Sequence, residues 1–498
     1  MERKVPDVKR FRDQPFTVSK RKGGKKLQIL ITKECKNKYI YQQIYENVKQ
    51  MIMSKKFIAH EQLPSKRALA EQLDVSVNSV TTAYEQLLAE GYIYTIERSG
   101  YFVENITELT SAQKASSLLP EDLREEEVTD NRDKLSFSHI SVDATIFPFK
   151  NWSNCEQKAL RNYREMLGKL THFQGPLEVR KSIARLIEHT RGVVCEPEQI
   201  VIGAGTQNLI KRLITIFPKT TKLAIENPGY QRFYTLFTGL GYPVHPISLD
   251  RQGISVKELS SSEAEFVIVT PSHQFPTGTI MPISRRNELL NWAAKNEKRF
   301  IIEDDYDSEY KYETDHIPSL QSLDQNQQVI YTGTFSKTLL PSLRISYMVL
   351  PFNLLRKYRN KYGDRIQEVN TLNLYTLHYF IEDGLYQKHI RQMNNSYEQK
   401  RSRIIRLLKA KFKDQITIRD IPAGLHFLAY FKTDKTYSEI KIVAKKVNLE
   451  IYLLDRFMLT PNVGENGMVG IIVGFANIKE TNINEAIERL SYVVNSKI

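Results

Sequence analysis

Cysteine is scarce in this chain of 498 residues, which contains only Cys35, Cys155 and Cys195. Their wide spacing matches no metal-ligand pattern and no disulfide framework, so we expect no metal site and a reducing, cytoplasmic setting. No apolar run is long enough to span a bilayer, and the first residues lack the apolar core of a secretory signal. These absences exclude disulfide-stapled secreted domains and membrane-spanning proteins.

Positive charge is present in excess, but it is unevenly placed. The net charge is +14, and residues 1–38 hold 13 Lys or Arg against four acids, a balance of +9. Residues 39–103 hold six against seven, a balance of −1. A basic, glycine-containing segment such as 20–26 favours a flexible extension. Two roles stay open for it: a solubilising tail, or an arm that adds salt-dependent affinity for DNA.

The composition divides the chain into four parts. Residues 111–134 are polar and acid-rich, with Pro120 among them, which is typical of a linker. We therefore predict a flexible extension at 1–38, a small domain at 39–104, a linker at 105–134 and a large domain at 135–498. The length is ample for several domains with their own cores.

The small domain has the pattern of three helices and a hairpin. Ile44, Val48 and Ile52 predict one face of a helix over 41–53. Ser65 and Ser76 are suited to cap a second helix from residue 66 and a third over 77–90. The segment 92–103 reads as two strands around Arg98-Ser-Gly100. The pattern predicts an α+β winged helix-turn-helix.

This module resembles the GntR regulators over nearly its whole length, on the segments 63–70, 75–87, 90–93 and 100–103. The resemblance implies double-stranded operator DNA as a partner, with the third helix in the major groove. Asn78, Ser79 and Thr82 would then face base edges, and Lys66, Arg67 and Arg98 would hold phosphates or a groove edge. The family often has an arginine after the capping serine, whereas Val77 stands here, so one contact is expected to be missing.

The large domain alternates short apolar runs with helical patterns. The runs at 199–203, 222–226, 265–269 and 299–303 predict strands of a mostly parallel α/β sheet. Further on, Lys337 lies among small hydroxyl residues, and Arg344 follows seven positions later. Such a segment suits a cofactor that carries an aldehyde and a phosphate, because a lysine can form a Schiff base while hydroxyls and a guanidinium hold the phosphate.

Residues 135–498 resemble the fold-type I aminotransferases, which use pyridoxal 5'-phosphate. The resemblance implies that Lys337 forms the Schiff base, Asp304 pairs with the pyridine nitrogen and Tyr306 bonds the ring oxygen. Tyr230 would stack on the ring. The predicted phosphate group is Gly205, Thr206, Gln207, Thr334, Ser336 and Arg344, the first three as amides at a helix start.

The two resemblances together identify the chain as similar to the MocR group, and to its GabR branch in particular. The segments that carry this are 39–45, 97–104, 270–278 and 423–427. The group implies a transcriptional regulator that forms a head-to-tail homodimer. The GabR branch implies γ-aminobutyrate as effector, sensed by external aldimine formation, with arginines at about the places of Arg232 and Arg456 gripping its carboxylate.

Two departures from working aminotransferases favour a sensor over an enzyme. Phe275 stands where many of them have an asparagine that contacts the ring oxygen. The strand predicted at 470–476 has no arginine for an α-carboxylate. Transaminase activity is therefore expected to be weak at most. Two alternatives remain: an active aminotransferase with an accessory winged helix, and a MocR-type regulator whose effector is pyridoxal phosphate itself or taurine. For Arg456, the alternative is a surface salt-bridge residue.

Overall fold

A computed structural model describes residues 39–106, 119, 121–124, 133–312, 318–419, 421–460 and 467–496. The chain divides into two compact units, residues 1–127 and 128–498. The predicted basic extension lies outside the described residues, as does most of the predicted linker, so both boundaries remain predictions.

The first unit contains the three helices and the hairpin that the sequence predicts. Its elements are α1 (Ile40–Met53), α2 (Lys66–Leu73), α3 (Val77–Ala89), β1 (Ile93–Ile96) and β2 (Gly100–Val103). Ser65 and Ser76 cap α2 and α3, each accepting a hydrogen bond from a backbone N–H three residues on, at 3.2 Å. Gly91 follows α3 with φ +76°, a conformation that ends helices at little cost for glycine.

The core of this unit is apolar and comes from all its elements. Five of its side chains are fully buried, namely Ile44, Val48, Leu69, Val80 and Leu87. Leu73 and Leu88, which helical periodicity also places inward, are half-buried. The antiparallel pair β1–β2 turns at Arg98, which has φ +61°.

The second unit is built on a sheet of eight strands in the order β4-β11-β10-β9-β8-β5-β6-β7. The five strands from β10 to β6 are parallel, and β11, β4 and β7 are antiparallel to their neighbours. Their bounds are β4 (Ile200–Gly203), β5 (Leu223–Asn227), β6 (Val244–Asp250), β7 (Gly253–Ile254), β8 (Phe266–Val269), β9 (Phe300–Asp305), β10 (Val329–Thr334) and β11 (Ser346–Val349). The four strands expected from apolar runs are β4, β5, β8 and β9, and all four are confirmed.

Smaller sheets accompany the large one. Strands β12 (Ile416–Arg419), β13 (His426–Lys432), β16 (Met468–Gly474) and β15 (Tyr452–Leu453) form a four-stranded antiparallel sheet in that order. Strands β3 (Leu135–Ser136) and β14 (Leu449–Glu450) pair in parallel. The strand expected at 470–476 therefore begins and ends two residues earlier, and it contains no arginine at either placement.

The second unit also contains helices, which alternate with its strands along the chain. They are α4 (Phe149–Asn162), α5 (Arg164–Leu167), α6 (Leu177–Arg191), α7 (Thr206–Ile214), α8 (Gln231–Gly239), α9 (Val256–Ser261), α10 (Ile283–Ala294), α11 (Phe352–Tyr362), α12 (Thr371–Glu382), α13 (Leu385–Phe412), α14 (Tyr437–Lys446) and α15 (Ile483–Asn495). Across the described residues, no helix combines the length and apolar character that crossing a bilayer requires.

The parallel strands set the position of a site. Carboxyl ends of parallel strands meet at one edge of a sheet, and ligands of open α/β sheets bind there. Strand β9 ends at Asp304 and Asp305, β10 ends at Thr334, and the segment after β5 leads to Tyr230. Residues that are distant in sequence are thereby brought to a common edge.

Candidate cofactor and effector site

A cavity of about 190 Å³ opens at this edge. It is lined by all ten predicted cofactor residues, namely Gly205, Thr206, Gln207, Tyr230, Asp304, Tyr306, Thr334, Ser336, Lys337 and Arg344. Arg232 lines it as well, and so do His139, Ile140 and Phe275. The roles given to these residues remain predictions, but the fold brings the whole set together.

One end of the cavity has the features of a phosphate cradle. Helix α7 begins at Thr206, so its first backbone N–H groups and its positive dipole end face the cavity. Gly205 has φ +104°, and a Cβ there would collide with the Arg344 guanidinium. The Ser336 Oγ is buried without a hydrogen-bond partner among the described residues, as expected for a donor that meets an anionic ligand.

Asp304 lies deep in the same cavity. Its Oδ1 accepts a hydrogen bond from Thr332 Oγ1 at 3.0 Å, and burial raises the pKa of Asp304 to about 7. Ionising a buried carboxyl costs free energy unless a cation pairs with the carboxylate. A protonated pyridine nitrogen would supply that cation, which fits the predicted role.

Lys337 projects toward the cavity from the loop after β10. Its Nζ donates hydrogen bonds to the carbonyl oxygens of His139 and Ile140, at 2.6 and 3.2 Å. The pKa of Lys337 is lowered to about 8, mainly by burial; the charge of Asp307 opposes the lowering and that of Arg232 adds to it. Roughly a tenth of the amine is therefore neutral at pH 7, and the neutral form is the one that attacks an aldehyde.

The two predicted effector arginines differ in position. Arg232 lines the cavity, whereas Arg456 is exposed, and its guanidinium carbon lies 5.8 Å from the centre of the Tyr452 ring. Both act on His139: burial, together with the charges of Lys337, Arg456 and Arg232, lowers the pKa of this imidazole to about 3. His139 is therefore neutral at the cavity wall.

Sequence reasoning missed several residues of the site. His139 and Ile140 follow β3, where nothing in the local pattern indicates a cavity. His273, Asp307 and His426 are also buried, and one ligand-type atom of each lies within 4.8 Å of the others. These three come from a loop, a strand end and the second sheet, so only the folded chain brings them together.

Glu226 is another buried acid beside the site that no motif indicated. Its Oε2 accepts hydrogen bonds from the backbone N–H and the hydroxyl of Thr270, at 3.2 and 2.7 Å, and from Gln274 Nε2 at 3.3 Å. Burial, with a smaller contribution from the charge of Asp304, raises the pKa of Glu226 to about 7. The carboxyl binds its proton more tightly when folded than when unfolded, so its contribution to stability falls as pH rises from about 4.5 to 7.

We expect Glu226→Gln to remove this pH dependence. The free energy of unfolding of the variant minus that of the wild type should rise by about 1–3 kcal/mol from pH 5 to pH 8. Urea unfolding at the two pH values, at equal cofactor loading, measures the shift. Glu263→Gln is the control, because Glu263 is exposed and a low pKa holds it ionised at both pH values. An unchanged difference would mean that Glu226 is ionised in the folded protein at pH 5.

In the first unit, the predicted DNA-contacting residues lie on the surface of α2, α3 and the hairpin. Asn78, Thr82, Arg67 and Arg98 are exposed, and Ser79 is half-buried with its hydroxyl 2.9 Å from that of Ser76. The sixth, half-buried Lys66, has its Nζ 3.9 Å from Glu85 Oε1 and 5.5 Å from the Tyr101 ring centre. Its charge is partly compensated within the domain, so the remaining five are better placed to meet DNA.

Comparison with known proteins agrees with both units. Residues 40–103 match the bacterial regulatory proteins of the gntR family, and residues 134–490 match aminotransferase class I and II. The HTH-type transcriptional regulator YdeL of Bacillus subtilis (strain 168) is 38 % identical over 91 % of this chain and 96 % of its own length. The probable rhizopine catabolism regulatory protein MocR of Rhizobium meliloti is 29 % identical over 91 % and 93 %.

The chain belongs to the MocR-type transcriptional regulators of the GntR family. Among solved structures, the kynurenine aminotransferase of Pyrococcus horikoshii superposes with a TM-score of 0.67 at 20 % identity, covering 78 % of this chain and 98 % of the enzyme. That likeness confirms the fold-type I architecture of the second unit. Membership in the MocR-type regulators implies pyridoxal 5'-phosphate as cofactor, and the cradle at Gly205, the buried carboxyl of Asp304 and the amine of Lys337 fit it.

Proposed function

We propose that this regulator binds operator DNA through residues 39–104 and that a small amine bearing a carboxylate controls the binding from the cofactor cavity, with γ-aminobutyrate as the best candidate. The observation that carries the proposal is the contact of Lys337 Nζ with the carbonyls of His139 and Ile140. These two residues come a few positions after the predicted linker, so the cofactor lysine touches the chain segment that leads from the DNA-binding domain.

The Lys337 amine has two alternative states: joined covalently to the cofactor, or free to donate hydrogen bonds to the two carbonyls. Bound pyridoxal phosphate supplies an aldehyde to which an amine can be joined covalently. Lys337, when joined, no longer has the three N–H donors of an ammonium group for the two carbonyls. When another amine takes its place, Lys337 regains them and can hold residues 139 and 140. This difference in the contacts of Lys337 shifts the equilibrium between two conformations of the regulator only by the amount by which it changes their relative free energies.

Charge in the cavity favours an effector with a carboxylate at a distance from its amine. Arg232 lines the cavity, and both Arg232 and Arg456 act on the neutral His139. Strand β16 contains no arginine that would grip an α-carboxylate. Phe275 is buried at the cavity wall, with its ring centre 5.7 Å from that of Tyr230. These features favour recognition of a γ-amino acid over turnover of an α-amino acid.

We expect γ-aminobutyrate to change both the visible spectrum of the cofactor-loaded protein and its affinity for a duplex of its own upstream DNA. Arg232→Gln should weaken the effector about 10- to 100-fold, because a hydrogen bond to a charged group contributes about 1.5–3 kcal/mol. Arg251→Gln, an exposed arginine in the turn between β6 and β7, should leave the affinity unchanged. Fluorescence anisotropy of the labelled duplex and absorbance titration measure the two responses.

Controls separate the parts of this proposal. Asn78→Ala should weaken binding of the duplex without altering the spectral titration. Taurine and pyridoxal phosphate alone, tested in the same assays, identify a regulator with another effector. If γ-aminobutyrate changes neither the visible spectrum nor the DNA affinity, it is rejected as the effector. We also propose a head-to-tail homodimer, for which sedimentation velocity should give twice the chain mass.

The fold likeness to aminotransferases supports a second candidate, an active transaminase with an accessory winged helix. That candidate requires steady conversion of an amine and a keto acid and no selective binding of the upstream duplex. We expect at most slow turnover, because neither an asparagine at position 275 nor an arginine on β16 is present. Sustained multiple turnover together with indiscriminate DNA binding would establish the enzyme instead.

A further inference from the structure

Tyr306, the residue predicted to bond the cofactor's ring oxygen, is already held by a neighbour. Its hydroxyl donates to the backbone carbonyl oxygen of His273 at 2.9 Å and lies 3.1 Å from His273 Nδ1. Burial raises the pKa of Tyr306 well above its usual value, with an added effect of Asp307, so the phenol keeps its proton. The hydroxyl can therefore donate one hydrogen bond while accepting another.

The His273 ring is held in a single orientation. Its Nδ1 lies 3.0 and 3.2 Å from the two carboxylate oxygens of Asp307, and both side chains are 2 % exposed. Asp307 Oδ2 also accepts from the backbone N–H of Leu425 at 3.1 Å. Gly424 packs so closely against the ring that a Cβ at this position would lie 2.1 Å from Nδ1.

This geometry fixes the tautomer. An ionised carboxylate only accepts hydrogen bonds, so the proton of His273 is on Nδ1, between Asp307 and the Tyr306 oxygen. The opposite nitrogen, Nε2, is buried and has no hydrogen-bond partner among the described residues, consistent with an unprotonated imine. His426, whose ring centre lies 4.6 Å away, also has a buried Nε2 without a partner in the described chain.

We infer that His273, oriented by Asp307, is a positioning residue that holds Tyr306 for the cofactor's ring oxygen and replaces the asparagine lost to Phe275. The Nδ1–H donates to the Tyr306 oxygen, which fixes that oxygen while leaving its own proton able to turn from the His273 carbonyl to the ring oxygen. No covalent step is involved. The inference rests on the family's cofactor and is independent of the proposed effector.

The test is the pH midpoint of the visible absorbance that the lysine-bound cofactor gives. A donor to the ring oxygen stabilises negative charge there and so favours the deprotonated form of the lysine–cofactor link. We expect Tyr306→Phe to raise the midpoint by roughly one pH unit. His273→Leu should raise it comparably, and the double variant should show no further shift, because both act on one hydrogen bond.

A conservative variant separates positioning from a merely structural role. His273→Asn places an amide N–H close to the position of Nδ1 and should restore a midpoint near that of the wild type. Asp307→Asn, which keeps the volume but loses the charge, should give an intermediate shift and serves if His273→Leu does not fold. Thermal melts and gel filtration of every variant with cofactor bound check folding.

Two results would overturn the inference. The first is that Tyr306→Phe shifts the midpoint whereas His273→Leu keeps the wild-type value. If His273→Leu does not fold, the same comparison is made with Asp307→Asn. The other is elemental analysis of the wild type that finds one transition metal per chain which His273→Leu lacks. That result would make His273, Asp307 and His426 metal ligands. A failure of γ-aminobutyrate as effector would leave the midpoints unaffected, so the two proposals fail separately.

Discussion

Replacing Lys337 with alanine will remove the visible absorbance of the cofactor-loaded protein and, with it, covalent capture of the cofactor on borohydride reduction. The reason is chemical: the predicted Schiff-base amine is gone, and no other predicted cofactor residue carries a primary amine. Binding of the upstream duplex should persist but lose its response to γ-aminobutyrate, because the Lys337 contact with residues 139 and 140 is also lost.

Absorbance spectra and intact-protein mass spectrometry after reduction measure this result. Lys298→Ala is the matched control, since Lys298 is exposed in the turn before β9 and should behave as wild type. In the wild type, a pKa of about 8 leaves roughly a tenth of the Lys337 amine neutral at pH 7, so cofactor capture should accelerate up to about pH 8. Retention of stoichiometric reducible cofactor by Lys337→Ala would disprove the assignment.

The second large effect concerns the buried ion pair of Arg191 and Asp305. Arg191 Nε lies 2.7 Å from Asp305 Oδ2, and the two side chains are 3 % and 1 % exposed. Tyr331 donates to the same oxygen at 2.6 Å. Arg191→Met leaves Asp305 buried without its counter-charge, and removing one partner of such a pair costs about 3–5 kcal/mol. Asp305 adjoins Asp304, so cofactor affinity should fall as well.

Urea unfolding of Arg191→Met measures the loss, and the same helix provides the control. Arg185, also on α6, pairs with Glu382 at 2.5 Å, but its side chain is 60 % exposed. Arg185→Met should therefore cost at most about 1 kcal/mol. Adding Asp305→Leu to Arg191→Met should recover part of the loss, since no unpaired charge then remains buried. Equal costs for the two arginines would contradict a buried ion pair.

Local patterns predicted elements well where one residue decides the geometry. Ser65 and Ser76 cap helices because a hydroxyl three residues before a backbone N–H can satisfy it, whatever the rest of the fold does. The apolar runs that became β4, β5, β8 and β9 are buried throughout, as expected for strands of a sheet whose two faces are both covered. Tertiary contacts are not needed to recognise either signal.

Residues whose role depends on a distant partner were not predictable in this way. His139 is unremarkable in its own segment. It gains its place only because β3 pairs with β14 and the chain after β3 then runs past Lys337. His273 Nδ1 comes within 3.0 Å of the Asp307 carboxylate only once the loop after β8 lies against the end of β9. Arg456 remains a predicted effector contact: the resemblance implies that role, and its side chain is exposed beside Tyr452.

The sequence by itself determined the two domain types, the cofactor and ten of the residues that line the cavity, because these ten lie in short contiguous motifs at a helix start, a turn or a strand end. Only the tertiary structure decided which backbone carbonyls meet Lys337, which buried acids have raised pKa values, and how Tyr306 is held. Those properties arise from desolvation and from contacts between residues up to about 200 positions apart, and no local pattern encodes them.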